Sequence, residues 1–245
     1  MTVHFIGAGP GAADLLTLRA VTLLSKAQVC LYAGTYLDAE VLGHCPADAV
    51  LIDTQNLNLD QIIDHLVRAD QQGMDVARLC SGDPSLYSAL AEQTRRLDEA
   101  GVPWDVTPGV PAYAAAAAIL GRELTAPELS QTVILTRAQA RSTKMPETEA
   151  LAFLARSHAT MVLHLAITKI REVVADLLPE YGPQAPVAVV ANASAKNEVV
   201  LRGTLADIAE QVEAAGLRQA AVIIVGNTLG SNAFADSHLY STRQR

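Results

Sequence analysis

A short apolar run, Val3-His4-Phe5-Ile6, leads directly into Gly7-Ala8-Gly9-Pro10-Gly11, and a helical pattern of leucines starts at Leu15. The run reads as a first β-strand. Three glycines between a strand and a helix allow a tight turn and let the backbone approach a ligand closely. This junction points to an α/β sheet with a binding loop at a strand's carboxyl end. It also disfavours the commonest such site, the dinucleotide loop. That pattern is G-x-G-x-x-G, and here Ala12 stands where the third glycine belongs, with Pro10 interrupting the run. Taken alone, the loop leaves a ligand site and an ordinary tight turn both open.

The rest of the chain repeats the alternation. Strands are predicted over 28–32, 50–53, 75–80 and 104–107, with helices over 59–73, 85–101 and 112–120. Ile62, Ile63, Leu66 and Val67 keep helical spacing, and Gly73 suits a helix end. A second series follows Pro127. It has strands over 132–136, 160–165, 186–191, 199–203 and 220–225, and helices over 147–156, 167–178 and 205–215. The expected organisation is therefore an N-terminal α/β domain over 1–120, a linker over 121–130 and a C-terminal α/β domain over 131–245. Sheets largely parallel or mixed are expected. Ligands of open α/β sheets bind beyond the carboxyl ends of strands, which predicts an active site in the cleft between the two domains.

Composition narrows the partners. Half of the residues are apolar and 18% are charged, so both domains can build a core. A net charge of −8 disfavours nucleic acid, which needs a basic face. No apolar run has the length of a membrane span, and the sequence enters its first strand with no signal peptide, so no membrane partner is expected. Cys30, Cys45 and Cys80 are odd in number and widely spaced. They suggest neither a disulfide framework nor a metal motif, and a cytoplasmic protein fits.

Two further turns carry glycine after a predicted strand. Ser81-Gly82-Asp83-Pro84 follows the fourth strand, and Thr107-Pro108-Gly109-Val110-Pro111 follows the fifth. Asp83 before Pro84 could simply cap a helix. Three glycine turns at one sheet edge suggest instead a rim that lines a ligand.

With these stretches in hand, the chain resembles the tetrapyrrole (corrin/porphyrin) methylase family over nearly its whole length. The resemblance rests on V-H-F-I-G-A-G-P-G from Val3, L-Y-A-G-T-Y-L from Leu31, D-T-Q-N-L-N-L-D-Q-I from Asp53 and R-L-C-S-G-D-P-S-L-Y from Arg78. It continues in T-P-G-V-P-A from Thr107, L-T-A-P-E-L-S-Q-T-V-I-L-T-R from Leu124, T-M-V-L-H-L from Thr160, P-V-A-V-V from Pro186 and R-G-T-L from Arg202. The Tyr32-Ala33-Gly34 and 130–137 stretches are similar to the subgroup that methylates precorrin-4 at C11. A substrate already carrying cobalt, or methylation at another corrin position, stays open. Some positions depart from relatives: Ala12 follows the glycine loop, and Ala33 stands where uroporphyrinogen methylases have Asp. The 191–197 stretch lacks the arginine and Trp-Pro of many relatives.

The resemblance implies S-adenosyl-L-methionine as cofactor, with S-adenosyl-L-homocysteine as product, and a homodimer. By position it implies cofactor contacts from Pro10, Ser81, Gly82, Asp83, Leu86, Pro111, Ala112, Leu165, Ala193, Gly203 and Thr204. It implies a small-molecule tetrapyrrole substrate with eight carboxylates, and no metal site is expected in the protein. Arg137, Arg141 and Lys144 lie within eight residues on a stretch free of Asp and Glu, so they are expected to grip those carboxylates.

Methyl transfer from a sulfonium is an in-line displacement, and its main requirement is alignment. An electron-rich ring carbon needs no strong base to become a nucleophile. The chain accordingly offers no Ser-His-Asp or Cys-His arrangement, and no catalytic residue is assigned. Of the histidines at 4, 44, 65, 158, 164 and 238, only His164 is singled out, because it precedes Leu165. Two other classes of function are weaker. A nicotinamide oxidoreductase lacks its third glycine and an acidic end to the second strand. A tetrapyrrole carrier would have no use for three cofactor turns.

Overall fold

The computed structural model describes residues 1–34, 37–138 and 144–230. Its contacts divide the chain into two units, Met1–Ala115 and Ala116 onward. The division falls inside a helix, so residues 121–130, expected as a linker, belong to the second unit.

The first unit is a five-stranded parallel sheet. Its strands are β1 (Val3–Gly7), β2 (Val29–Tyr32), β3 (Val50–Asp53), β4 (Val76–Cys80) and β5 (Trp104–Thr107), in the order β3-β2-β4-β1-β5. Because the strands are parallel, every carboxyl end lies on one rim. The alternation of side chains along each strand divides the apolar residues between two faces. Val3, Phe5, Leu31 and Val76 pack on one side with Ile62 and Leu66 of α3 (Leu59–Gln71) and Leu97 of α4 (Leu90–Ala100). Ile6, Cys30, Ala77 and Leu79 pack on the other, with Ala20 and Leu24 of α1 (Leu18–Leu24) and Val41 of α2 (Ala39–Leu42). A reciprocal capping box between Asn58 and Gln61 starts α3.

The second unit is a mixed sheet. Its strands β6 (Val133–Arg137), β7 (Thr160–His164), β8 (Pro186–Ala191), β9 (Val199–Thr204) and β10 (Ala221–Val225) take the order β6-β7-β10-β8-β9. Only β6 and β7 are parallel neighbours; the remaining pairs are antiparallel. The core joins Met161, Leu163, Val187, Val189, Ile223 and Val225 to helices α6 (Leu151–Leu154), α7 (Ile170–Tyr181) and α8 (Ile208–Ala214). The helix α5 (Ala112–Leu120) spans the division. The fold is thus α/β with one parallel and one mixed sheet, as the alternation predicts. Among the described residues no helix is long and apolar enough to cross a membrane.

Two helices expected from periodicity are shorter or broken. The segment predicted as helix from 85 begins only at Leu90, because Tyr87 and Ala89 take left-handed backbone angles (φ 54° and 55°) that no helix accommodates. The cap role considered for Asp83 therefore fails: it starts a turn, and no helix begins at Pro84. The stretch 147–156 divides into two short 3₁₀ turns flanking α6, with Ala150 extended (ψ 137°) between the first turn and the helix.

Candidate active site

The three glycine turns of the first unit follow β4, β1 and β5, which are consecutive neighbours in the sheet. They meet through their backbones. A Cβ built on Gly7 would lie 2.5 Å from Gly109 Cα and 2.8 Å from Gly82 O, inside any real contact. Gly9 and Gly82 exchange two backbone hydrogen bonds, of 3.2 and 2.8 Å. The position of a Cβ on Gly82 is 3.5 Å from Ala112 N and 3.6 Å from Pro111 Cα. Gly82, Pro111 and Ala112 therefore share one corner of the rim.

Asp83 ties the second turn to the third. Its Oδ1 accepts from the backbone N–H of Ser85 at 2.8 Å and from the Ser85 hydroxyl, and its Oδ2 accepts from Gly109 N–H at 2.8 Å. Burial pushes this carboxyl up, but the hydrogen bonds from Ser85 and Gly109 together hold it below its ordinary value. It is ionised at neutral pH. Leu86 is half-buried, Ser81 is exposed, and the turn continues into the left-handed Tyr87 and Ala89.

At the ends of β2 and β3 a fourth turn is held in the same manner. Asp53 Oδ1 accepts from Gly34 N–H at 3.1 Å and Gln55 N–H at 2.9 Å. A Cβ on Gly34 would sit 2.6 Å from Asp53 Oδ2, which explains the glycine after Tyr32-Ala33.

In the second unit, β6, β7 and β8 run in the same direction, so Arg137, His164-Leu165 and the turn after Ala191 occupy one end of the sheet. Arg137 is the register partner of His164. Leu165 is 61% exposed and held at φ 52°. Ala193 is buried between two left-handed residues, Asn192 and Ser194. Non-glycine residues at positive φ are rare, and they cluster where structure is maintained for function. Burial pushes the His164 imidazole below its ordinary value.

A family model for Tetrapyrrole (Corrin/Porphyrin) Methylases matches residues 2–209. The chain belongs to the tetrapyrrole methylase family. A precorrin-4 C(11)-methyltransferase of Rhodococcus erythropolis is 56% identical over 246 residues, covering 100% of this chain and 99% of that protein. A cobalt-precorrin-4 C(11)-methyltransferase of Methanocaldococcus jannaschii is 43% identical, covering 97% of this chain and 92% of its own. Among solved structures, a cobalt precorrin-4 methyltransferase described as a cobalamin biosynthetic enzyme superposes with a TM-score of 0.91 at 35% identity, covering 94% of this chain and 96% of its own. A uroporphyrin-III C-methyl transferase from Thermus thermophilus, complexed with S-adenosyl homocysteine, gives 0.79 at 28% identity, covering 94% and 99%.

Within this methylase, the structure gathers Pro10, Ser81, Gly82, Asp83, Leu86, Pro111 and Ala112 onto the carboxyl rim of the first sheet. Arg137, Leu165 and Ala193 share one end of the second. Gly203 and Thr204 do not join them. In the antiparallel β8–β9 pair, Gly203 is opposite Val187 and Thr204 opposite Pro186, at the far end from Ala193. Six residues of strand separate these ends, about 20 Å. Both residues serve the turn into α8: Asp207 Oδ1 accepts from Thr204 N–H at 2.7 Å, and a Cβ on Gly203 would meet the same oxygen at 2.5 Å. In this structure Gly203 and Thr204, expected as cofactor contacts, lie beside Asp207 at the start of the turn into α8. Lys144 is exposed, 3.9 Å from Glu147, and Arg141 lies outside the described residues.

Sequence reasoning missed three residues that shape the first rim: Asp53, Thr54 and Arg78. Periodicity hides them, since Asp53 ends a strand and Arg78 sits in the middle of an apolar one. The one available signal was a charged residue inside the predicted core strand over 75–80.

Proposed function

We propose that this methylase transfers a methyl group from S-adenosyl-L-methionine to C11 of precorrin-4, giving precorrin-5 and S-adenosyl-L-homocysteine. One observation carries the reading: 56% identity, over 99% of its length, to a relative with that name. The cobalt-precorrin-4 relative is less similar, at 43%, which favours the metal-free substrate. When bound, S-adenosyl-L-methionine supplies an electrophilic methyl group on a sulfonium.

The residues of the first rim suit such a ligand. Gly7, Gly82 and Gly109 leave backbone, without side chains, at the point where the three turns meet. The ionised Asp83 suits a cationic sulfonium, and Pro10, Ser81, Leu86, Pro111 and Ala112 offer small or apolar contacts. The family resemblance further supports cofactor contacts from Leu165, Ala193, Gly203 and Thr204. Arg137, with Arg141 and Lys144, binds substrate carboxylates, and His164, neutral at pH 7, can donate one hydrogen bond beside Arg137. The tetrapyrrole is the small-molecule partner, and the protein works as a cytoplasmic homodimer. The free thiols of Cys30, Cys45 and Cys80 support a reducing compartment, and the family resemblance supports the dimer.

Calorimetric titration with S-adenosylhomocysteine, with NAD as control, tests the cofactor. Incubating the protein with freshly prepared precorrin-4 and methyl-labelled donor tests the reaction. One added methyl at C11, located by NMR, supports the reading. Methylation elsewhere, or only of the cobalt form, replaces it with a sister activity.

A further inference from the structure

Arg78 is 92% buried by its neighbours' side chains and backbone, its exposure being 8%, on the central strand β4. Among the described residues no carboxylate pairs with it. Nε donates to Gln93 Oε1 at 3.0 Å, and Nη1 donates to Leu79 O at 3.2 Å and, at 3.5 Å, to Thr54 Oγ1. Nη2 donates to nothing among the described residues. Burial pulls the guanidinium down from its ordinary value. A buried cation without a counter-ion is strongly unfavourable, and an apolar side chain of similar size would serve the core better. A local role has to justify the arginine.

Its partners identify that role. Gln93 receives Arg78 on its oxygen and uses its amide nitrogen on Ala89 O at 3.1 Å and Ser88 O at 3.3 Å. These carbonyls belong to the strained turn that carries Tyr87 and Ala89 at positive φ. Thr54 receives Arg78 on its hydroxyl and donates to Tyr32 O at 3.1 Å. Leu79 O lies two residues before Ser81. One guanidinium thus reaches the β2 end through Thr54, the Ser-Gly-Asp-Pro turn through Leu79, and the 84–89 segment through Gln93. Only a planar fork with several fixed donors spans three such directions; a lysine ammonium cannot.

We propose that Arg78, acting through Gln93 and Thr54, is a positioning residue that sets the cofactor turns of the first rim. It touches no reacting atom. The inference rests on the reading that S-adenosylmethionine binds this rim.

The test compares wild type, Arg78→Lys, Gln93→Leu and the double variant, each verified as folded by circular dichroism at the assay temperature. S-adenosylhomocysteine affinity is measured by calorimetry, with KM and kcat for both substrates. Both single variants should weaken S-adenosylhomocysteine binding about tenfold and raise KM for the methyl donor. The KM for the tetrapyrrole should hold within twofold. The double variant should be no weaker than the worse single one, since both break one brace. Wild-type affinity in folded Arg78→Lys overturns the inference and leaves a residue of the core. Additive losses overturn the coupling through Gln93. If wild type itself fails to bind S-adenosylhomocysteine, the proposed cofactor is wrong and the inference that rests on it is overturned as well.

Discussion

Asp83 and Gly109 lie 26 residues apart and are joined by a 2.8 Å hydrogen bond from the Gly109 backbone N–H to Asp83 Oδ2. The bond fixes the turn after β4 against the turn after β5, on either side of the loop after β1. The geometry of the three turns thus depends on one carboxylate with both oxygens engaged.

Replacing Asp83 by Asn removes one of two acceptor oxygens. An amide nitrogen would then face Gly109 N–H or Ser85 N–H, two donors together. Leaving such a donor unsatisfied costs about 1–3 kcal/mol. Thermal unfolding should show a loss of that size, and S-adenosylhomocysteine binding should weaken at least tenfold. Unchanged stability would mean the carboxylate does not hold the turns. Because Asp83 has a depressed pKa, its contribution is present above the unfolded value and is lost as pH falls through the folded one.

Gly109→Ala and Gly73→Ala separate steric from conformational cost. At Gly109 a Cβ would lie 2.8 Å from Gly7 Cα, and backbone cannot rotate away. Overpacking of this kind costs about 1–3 kcal/mol, with further loss through the displaced Asp83 bond. At Gly73 nothing lies within 4 Å, and only its φ of +70° opposes a side chain, at about 1 kcal/mol. Denaturant titration should rank Gly109→Ala as the more damaging, and only that variant should lose cofactor affinity. The reverse order would overturn the close-contact account.

Leu165→Gly should raise stability and lower affinity together. Leucine at φ 52° is strained by about 1 kcal/mol, and its side chain is 61% exposed, so little packing is lost. If the side chain covers a bound cofactor, its removal forfeits roughly 1.5–3 kcal/mol of burial, tenfold or more in affinity. A less stable variant that binds normally would show that Leu165 serves the fold.

His164 should make the second unit sensitive to acid. Burial lowers its pKa from 6.5, so below pH 6.5 the unfolded chain takes up a proton that the folded chain resists. Its share of stability is complete above pH 6.5 and declines as pH drops toward the folded value. Chemical denaturation of wild type and His164→Phe from pH 7.5 to 5.5 should therefore show a shallower slope for the variant. Parallel slopes would place the ring in solvent at low pH.

Much of this arrangement is legible locally. The short apolar runs of Val3–Gly7 and Pro186–Ala191, the amphipathic spacing of α3 and the glycine turns all express forces between residues close in sequence. Those local signals, with the motif resemblance, determined the alternating α/β architecture, the three turns and the family. Tertiary structure decided the rest. Strand order brought the turns after β4, β1 and β5 side by side, and antiparallel pairing of β8 with β9 carried Gly203 and Thr204 away from Ala193. Local patterns did not predict the start of α4 at Leu90, where Tyr87 and Ala89 are held at positive φ beside the Gln93 and Arg78 brace. The physical reason is range. Side-chain period and turn chemistry act over a few residues, while register, strand order and a buried cation's partners depend on residues brought together only by folding.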